Sequence, residues 1–134
     1  MEKDYIYPKE CFAIRGALFE VYKNIGIGFT EDIYQLALES ELSARKIPFE
    51  AQKEFFVSYK GTLLNKTFRA DIVCYGKIIL ELKSVKNFMP EHDAQLLNYL
   101  RVTNLKLGLL INFNNYPLIL TKPLVNSHYV EIQQ

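Results

Sequence analysis

The sequence predicts an α/β fold: a mixed β-sheet, with antiparallel hairpin strands plus a parallel strand after a crossover helix, flanked by helices. Three observations predict it. Residues Arg69 to Lys83 alternate with period two on both sides of Gly76, the pattern of a half-buried hairpin. A helical stretch follows over about 90–102, and after it Leu105 to Phe113 is an almost unbroken apolar run, fit for a strand buried on both faces. Two further helical stretches come before the hairpin.

Each element has its own signals. Residues 9–25 carry Phe12, Leu18, Phe19, Tyr22 and Ile25 at helical spacing, and Gly26 suits a C-cap. Thr30 suits the N-cap of a second helix over about 31–46, with Ile33, Leu36, Ala37 and Leu42 toward the core. Glu31 and Asp32 then meet the positive end of the helix dipole. Residues 49–59 read as a strand with Phe55, Val57 and Tyr59 on one face, and Lys60-Gly61 as a turn. Leu63 and Leu64 lead into the strand 67–75, where Phe68, Ala70, Ile72 and Cys74 share one face. The next strand spans 77–84. Pro90 opens the crossover helix, whose buried stripe is Leu96, Leu97 and Leu100. A tail from Leu118 is expected to add an edge strand.

The 134 residues are expected to form one domain, 1–134, with enough apolar content for a real core. No apolar run reaches membrane-spanning length, and Met1-Glu-Lys-Asp-Tyr5 opens no signal peptide. Cys11 falls in a helical pattern and Cys74 at a core-facing strand position, which fits buried reduced thiols and a cytoplasmic protein. Net charge is +1, so bulk charge names no polyanionic partner. Its distribution is uneven. Residues 1–52 hold six Lys/Arg and nine Asp/Glu, a balance of −3. Residues 53–106 hold nine Lys/Arg and five Asp/Glu, a balance of +4.

The chemistry concentrates on the hairpin. A loop of Tyr75-Gly76-Lys77 pairs Cys74 with Ile78, and the same register sets Asp71 opposite Glu81. Facing carboxylates are unfavourable unless a cation lies between them. Lys83, two residues past Glu81, shares its face. Paired carboxylates suit a hard cation that prefers oxygen ligands, and such an ion turns water into a nucleophile. An exposed polar face with cross-strand ion pairing meets the spacing equally. On the crossover helix, His92, Gln95 and Tyr99 form a polar stripe. Arg69 is open to two readings, a phosphate contact or a partner for Asp71 or Glu81. Tyr34 reads as core packing with its hydroxyl hydrogen-bonded.

Asp71-x9-Glu81-Leu82-Lys83, followed by a helix with Gln95-x3-Tyr99, resembles the PD-(D/E)xK (restriction-endonuclease-like) nuclease superfamily. Gly28-Phe-Thr-Glu31-Asp-Ile-Tyr34, the run Glu91 to Leu100 and Leu109 to Phe113 resemble its GxxExxY family in particular. The likeness covers about residues 12–114, and the superfamily's proline before the aspartate is Ala70 here. The resemblance implies a Mg²⁺-dependent nuclease, with Mn²⁺ as the alternative ion, acting on DNA ahead of RNA. It implies Asp71, Glu81, the Leu82 carbonyl and Glu31 as metal ligands. It implies Lys83 beside the attacking water, and Gln95 and Tyr99 at the substrate or the lysine. A cut through two strands needs two sites, which admits a homodimer. The rival reading is a catalytically silent nuclease fold used for nucleic-acid binding or as a scaffold; a third is a phosphodiesterase for small nucleotides in an enclosed pocket.

Overall fold

The computed structural model describes residues 6–115 and 119–132. The elements run α1 (Pro8–Ile25), α2 (Glu31–Ala44), β1 (Phe49–Tyr59), β2 (Thr62–Cys74), β3 (Ile78–Lys83), α3 (Pro90–Thr103), β4 (Leu107–Asn112) and β5 (Leu120–Val125). The five strands form one sheet in sequence order. Only β3 and β4 are parallel, joined through α3, and the other neighbours are antiparallel. This is the α/β mixed sheet that the sequence predicts. The expected edge strand is β5; Leu118 and the five opening residues lie outside the described ones.

The hairpin register follows from its turn. Tyr75 (φ 56) and Gly76 (φ 68) both take left-handed backbone, and the Lys77 N–H donates to the Cys74 carbonyl at 3.0 Å. Cys74 therefore faces Ile78, Val73 faces Ile79 and Ile72 faces Leu80. The hairpin is more deeply covered than expected. Ile78 to Leu82 are all buried, as is every residue of β4. A strand at the middle of a sheet with helices on both sides has no solvent face.

Two apolar clusters sandwich the sheet. On one side Ile14, Leu18, Leu38, Leu42 and Phe113 pack on Ile72, Leu80 and Leu109. On the other, Leu96 and Leu100 pack on Ala70, Val73, Ile79 and Leu110. The helix frames differ from expectation. In α1 the buried stripe is Cys11, Ile14, Leu18 and Val21, while Phe12 is 82% and Phe19 48% exposed. In α2 the stripe is Tyr34, Leu38 and Leu42, with Ile33 and Leu36 turned outward. Leu97 of α3 is also exposed. In both leading helices a run of mixed apolar residues admits two stripes 100° apart, and the one that packs closest wins. Thr30 holds the N-cap position of α2, but its hydroxyl meets the Asp32 carboxylate and caps nothing.

One departure bears on the site. Phe68 and Ala70 do not share a face with Ile72 and Cys74. Ala70 joins the α3 cluster with Phe68 stacked on Tyr99 of α3, whereas Ile72 and Cys74 join the α1/α2 cluster. The switch falls at Asp71. Opposite it, Gln52 of β1 has φ 50, and the pair drops out of the β1–β2 ladder while Ala51↔Ile72 and Lys53↔Ala70 stay paired. Phe49 and Phe55 of β1 lie on opposite sides for the same reason. Both cysteines are buried, and burial pushes the Cys74 thiol up to about 12. Among the described residues no helix is long and apolar enough to cross a membrane.

Candidate active site

At Asp71 the sheet splits. The β2–β3 ladder ends at Ile72↔Leu80. Beyond it the two carboxylates replace backbone carbonyls as acceptors. The Asp71 N–H donates to Glu81 Oε2 at 2.9 Å, and the Leu82 N–H donates to Asp71 Oδ2 at 2.7 Å. Each acid thus anchors the other strand's main chain, so the fold that sets the register also sets the acids.

The pair is held in low-dielectric surroundings. Glu81 is only 5% exposed. Desolvation, and then the Asp71 charge, push its carboxyl up to about 8, against the pull of the Asp71 N–H and the Lys83 ammonium. Asp71 is also raised, first by desolvation and last by the Glu31 charge. The Leu82 N–H, Lys83 and the Gln52 amide counteract the rise. Two mutually repelling, desolvated carboxylates cannot both ionise cheaply without a cation. That donor set fits a Mg²⁺-like ion, which takes one or two carboxylates and keeps several waters. Among the described residues no three His, Cys, Asp or Glu side chains converge as metal ligands.

A cleft of ≈ 640 Å³ opens over the split. Glu31, Asp71, Glu81, Leu82, Lys83, Gln95 and Tyr99, the seven residues that the resemblance implies, line it. Glu31 enters from the first turn of α2, and its Oε2 accepts the Ser84 N–H at 2.9 Å. The Ser84 hydroxyl in turn donates to the Phe29 carbonyl, tying the α2 entry to the end of β3. Glu31 does not close with Asp71 and Glu81 into a three-carboxylate cluster. Buried Asn112 of β4 fixes the residues just past Lys83: its Oδ1 accepts the Val85 N–H at 3.1 Å and its Nδ2 donates to the Val85 carbonyl at 2.8 Å.

Tyr99 sits at the base of an aromatic stack. Its ring lies 4.0 Å from Phe68, which lies 5.3 Å from Phe55. Its phenol is raised, by desolvation and then by the charges of Glu81 and Asp71, and the Gln95 amide bonds it. Arg69 stands at the rim, 4.0 Å from Glu54, and pairs with neither site acid. His92 lies outside the cleft; its Nδ1 accepts the Met89 N–H at 3.0 Å and caps α3. Tyr34 is wholly buried, stacked 4.3 Å from Phe113, its hydroxyl donating to the Gly26 carbonyl at 2.6 Å.

Two glutamines escaped the sequence reading. Gln35 of α2 donates to the Asp71 carbonyl at 3.0 Å and to Glu39 Oε2 at 2.9 Å. Gln52 bonds the Asp71 carboxylate from its left-handed position. Counting back from the Lys60-Gly61 turn, where Tyr59 faces Thr62, would set Gln52 opposite Arg69. An irregularity between Phe56 and Ser58 shifts the register by two and brings Gln52 to Asp71 instead. Nothing in the sequence marks that shift.

An acid pair on a split hairpin, with a lysine two residues on, is a donor set suited to a hard cation. The family model described as PD-(D/E)XK nuclease superfamily matches residues 8–121, and the chain belongs to that superfamily. Its nucleases are typically hydrolases that use divalent metal ions. A solved protein described as SSO0001 is similar at 24% identity and a TM-score of 0.58, over 72% of this chain and 50% of its own. That likeness is one of fold, and the chain spans about half the length of that protein. No curated protein matches the chain.

Proposed function

We propose that this chain is a metal-dependent nuclease of the GxxExxY family that hydrolyses phosphodiester bonds in DNA. The observation that carries the reading is the Asp71–Glu81 pair, Asp71 half-buried and Glu81 buried, both raised first by desolvation and Glu81 next by the Asp71 charge, set beside Lys83. Each acid anchors a main-chain N–H, but the charge the pair carries without a cation costs stability that a bound ion would offset.

Asp71, Glu81 and the Leu82 carbonyl would hold Mg²⁺ or Mn²⁺, and Glu31 faces the same cleft from α2. When bound, the ion neutralises the pair, makes a water nucleophilic and carries charge on a phosphoryl oxygen. The chain's own groups do the rest. The Lys83 ammonium orients the attacking water and steadies the charge developing on the phosphate. The Tyr99 phenol, raised and therefore protonated, donates a hydrogen bond toward the phosphate, and Gln95 holds that phenol in place. Gln35 and Gln52 fix the Asp71 backbone and carboxylate. The rim residues Gln52, Arg69 and Gln95 are exposed, which favours a polymer over a small nucleotide in an enclosed pocket. A homodimer and a cytoplasmic location, with both thiols reduced, belong to the same reading.

The test is cleavage of labelled single-stranded, duplex and branched DNA with Mg²⁺ or Mn²⁺, against Glu81→Ala and Lys83→Ala. Metal-dependent cleavage lost in both variants is expected. No cleavage of any substrate, with no metal bound by calorimetry, would overturn the reading in favour of a silent binding or scaffold module.

A further inference from the structure

Among the described residues, 58–67 at the outer end of the β1–β2 hairpin join neither apolar cluster. Strand β2 pairs with β3 from Ile72 to Cys74, so among the described residues 62–70 ladder only with β1. Residues 58–67 are all exposed, Leu63 at 66% and Tyr59 at 61%. At about 3.3 Å per residue, the turn at Gly61 stands roughly 25 Å along the strand from Arg69 at the cleft rim. A two-stranded ribbon of that reach, with Phe56, Tyr59, Leu63 and Leu64 in water, needs a partner.

Its charge says which kind. Between Phe55 and Ala70 there is no acid, while Lys60 and Lys66 supply two cations and Arg69, at the root, lies 4.0 Å from Glu54. Neither Lys60 nor Lys66 has an acidic partner among the described residues, and Lys60 lies over the Tyr59 ring at 5.4 Å. Cations without acids, interleaved with aromatic and apolar groups, complement a polyanion. The root of the ribbon is Gln52, Arg69 and Asp71, which line the cleft. A chain of phosphates lying along the ribbon therefore runs into the acid pair.

We propose that the β1–β2 arm is a duplex-DNA-binding ribbon, seated in the major groove beside the phosphate held in the cleft. Two strands about 4.8 Å apart with their side chains fill a groove of about 12 Å. The deep, narrow major groove of duplex RNA does not admit them. Single-stranded DNA has no groove to grip. The bulge between Phe56 and Ser58 bends the arm and leaves Lys66 clear of the regular ladder. The proposal rests on the nuclease reading for its substrate, and it is tested without cleavage.

Binding of a labelled duplex of about three helical turns is read by fluorescence anisotropy over a salt series. The protein carries Glu81→Ala, so that no cutting intervenes, and is compared with the same protein bearing Lys60→Ala and Lys66→Ala. Both lysines are exposed, so circular dichroism should show an unchanged fold. The double substitution should weaken duplex binding about tenfold or more and lower the salt slope by about two, roughly one per lysine. Single-stranded DNA and duplex RNA should bind more weakly and lose less. Unchanged affinity and slope, or no duplex binding by either protein, would overturn the arm. An equal loss on all three nucleic acids would overturn its seat in the groove. Sedimentation of Phe56→Ser with Leu63→Ser covers the remaining occupant: a dimer that dissociates while duplex binding is untouched makes the arm a contact between copies. Duplex binding with the predicted slope change, from a chain whose unsubstituted form never cleaves, would end the nuclease reading and leave the arm standing.

Discussion

Strand β2 lives two lives. Its inner residues, Ile72 to Cys74, are bonded on both sides and buried on both faces. Its outer residues, Thr62 to Thr67, are bonded on one side and exposed. Asp71 is the boundary. There the strands part, and a carboxylate from each arm takes over the hydrogen bond that a carbonyl would have made. The comparison teaches that the candidate site is an interruption of the ladder and not an addition to it. The inner half gives the acids their rigidity, and the parting gives them their opening.

The largest effect expected is at the boundary itself. Glu81→Gln keeps an acceptor for the Asp71 N–H but removes the charge. Cleavage should fall about a thousandfold or more, the several kcal/mol that a metal centre supplies to the transition state. Stability should move the other way. In the unfolded chain Glu81 ionises from its ordinary value of 4.5, but in the folded chain only near 8. The stability it contributes below 4.5 is therefore lost as pH rises toward 8, by at most about 1.4 kcal/mol per pH unit for one proton. Without metal the parent protein should melt at lower temperature at pH 8 than at pH 5. Mg²⁺ should restore it, and Glu81→Gln should flatten the profile. A parent profile equally flat without metal would mean that the pair is not strained by its own charge.

A second contrast sets the two halves of the hairpin against each other. Ile79 is fully buried opposite Val73, and Leu63 stands 66% exposed on the arm. Ile79→Ala should cost about 3 kcal/mol in urea unfolding, since it leaves a cavity between the sheet and α3. Leu63→Ala should stay within about 0.5 kcal/mol. A large loss from Leu63→Ala would show that the arm carries the fold, and the division of β2 into two halves would fail.

The hairpin was legible because one turn settles its register. Tyr75-Gly76-Lys77 sets Cys74 against Ile78, and Asp71 then reaches Glu81 by counting alone. The crossover helix and the strand after it followed from length and apolar run. Glu31, Gln95 and Tyr99 came from the resemblance, and they line the same cleft as the acids. The helix faces were not legible, because Phe12 and Leu36 are as apolar as the Ile14 and Leu38 that won the core. Burial depends on which stripe meets the sheet, a tertiary choice that composition does not encode. The half-buried alternation of β2 failed at Asp71 because period two assumes an unbroken pleat. Gln52 was hidden by the register shift between Phe56 and Ser58 of its own strand, and only the fold reveals it.

Gln52 separates two ways in which that broken pleat could serve the site. Its φ of 50 is a left-handed conformation inside a strand, which costs a side-chain-bearing residue roughly 1 kcal/mol. Its amide also bonds the Asp71 carboxylate. Gln52→Gly keeps the kink at no steric cost and removes the amide. Gln52→Val removes the amide too but resists the kink through its branched Cβ. If the amide orients Asp71, the glycine variant should match the parent in stability within about 1 kcal/mol. Its kcat should fall about tenfold at unchanged KM, the worth of one hydrogen bond to a charged group. The valine variant should lose stability as well, by about 1–2 kcal/mol. Full activity in Gln52→Gly with a loss only in Gln52→Val would assign the effect to the kink. The left-handed residue would then serve the site through the backbone alone, by turning β2 out of register with β3 so that Asp71 reaches across to Leu82.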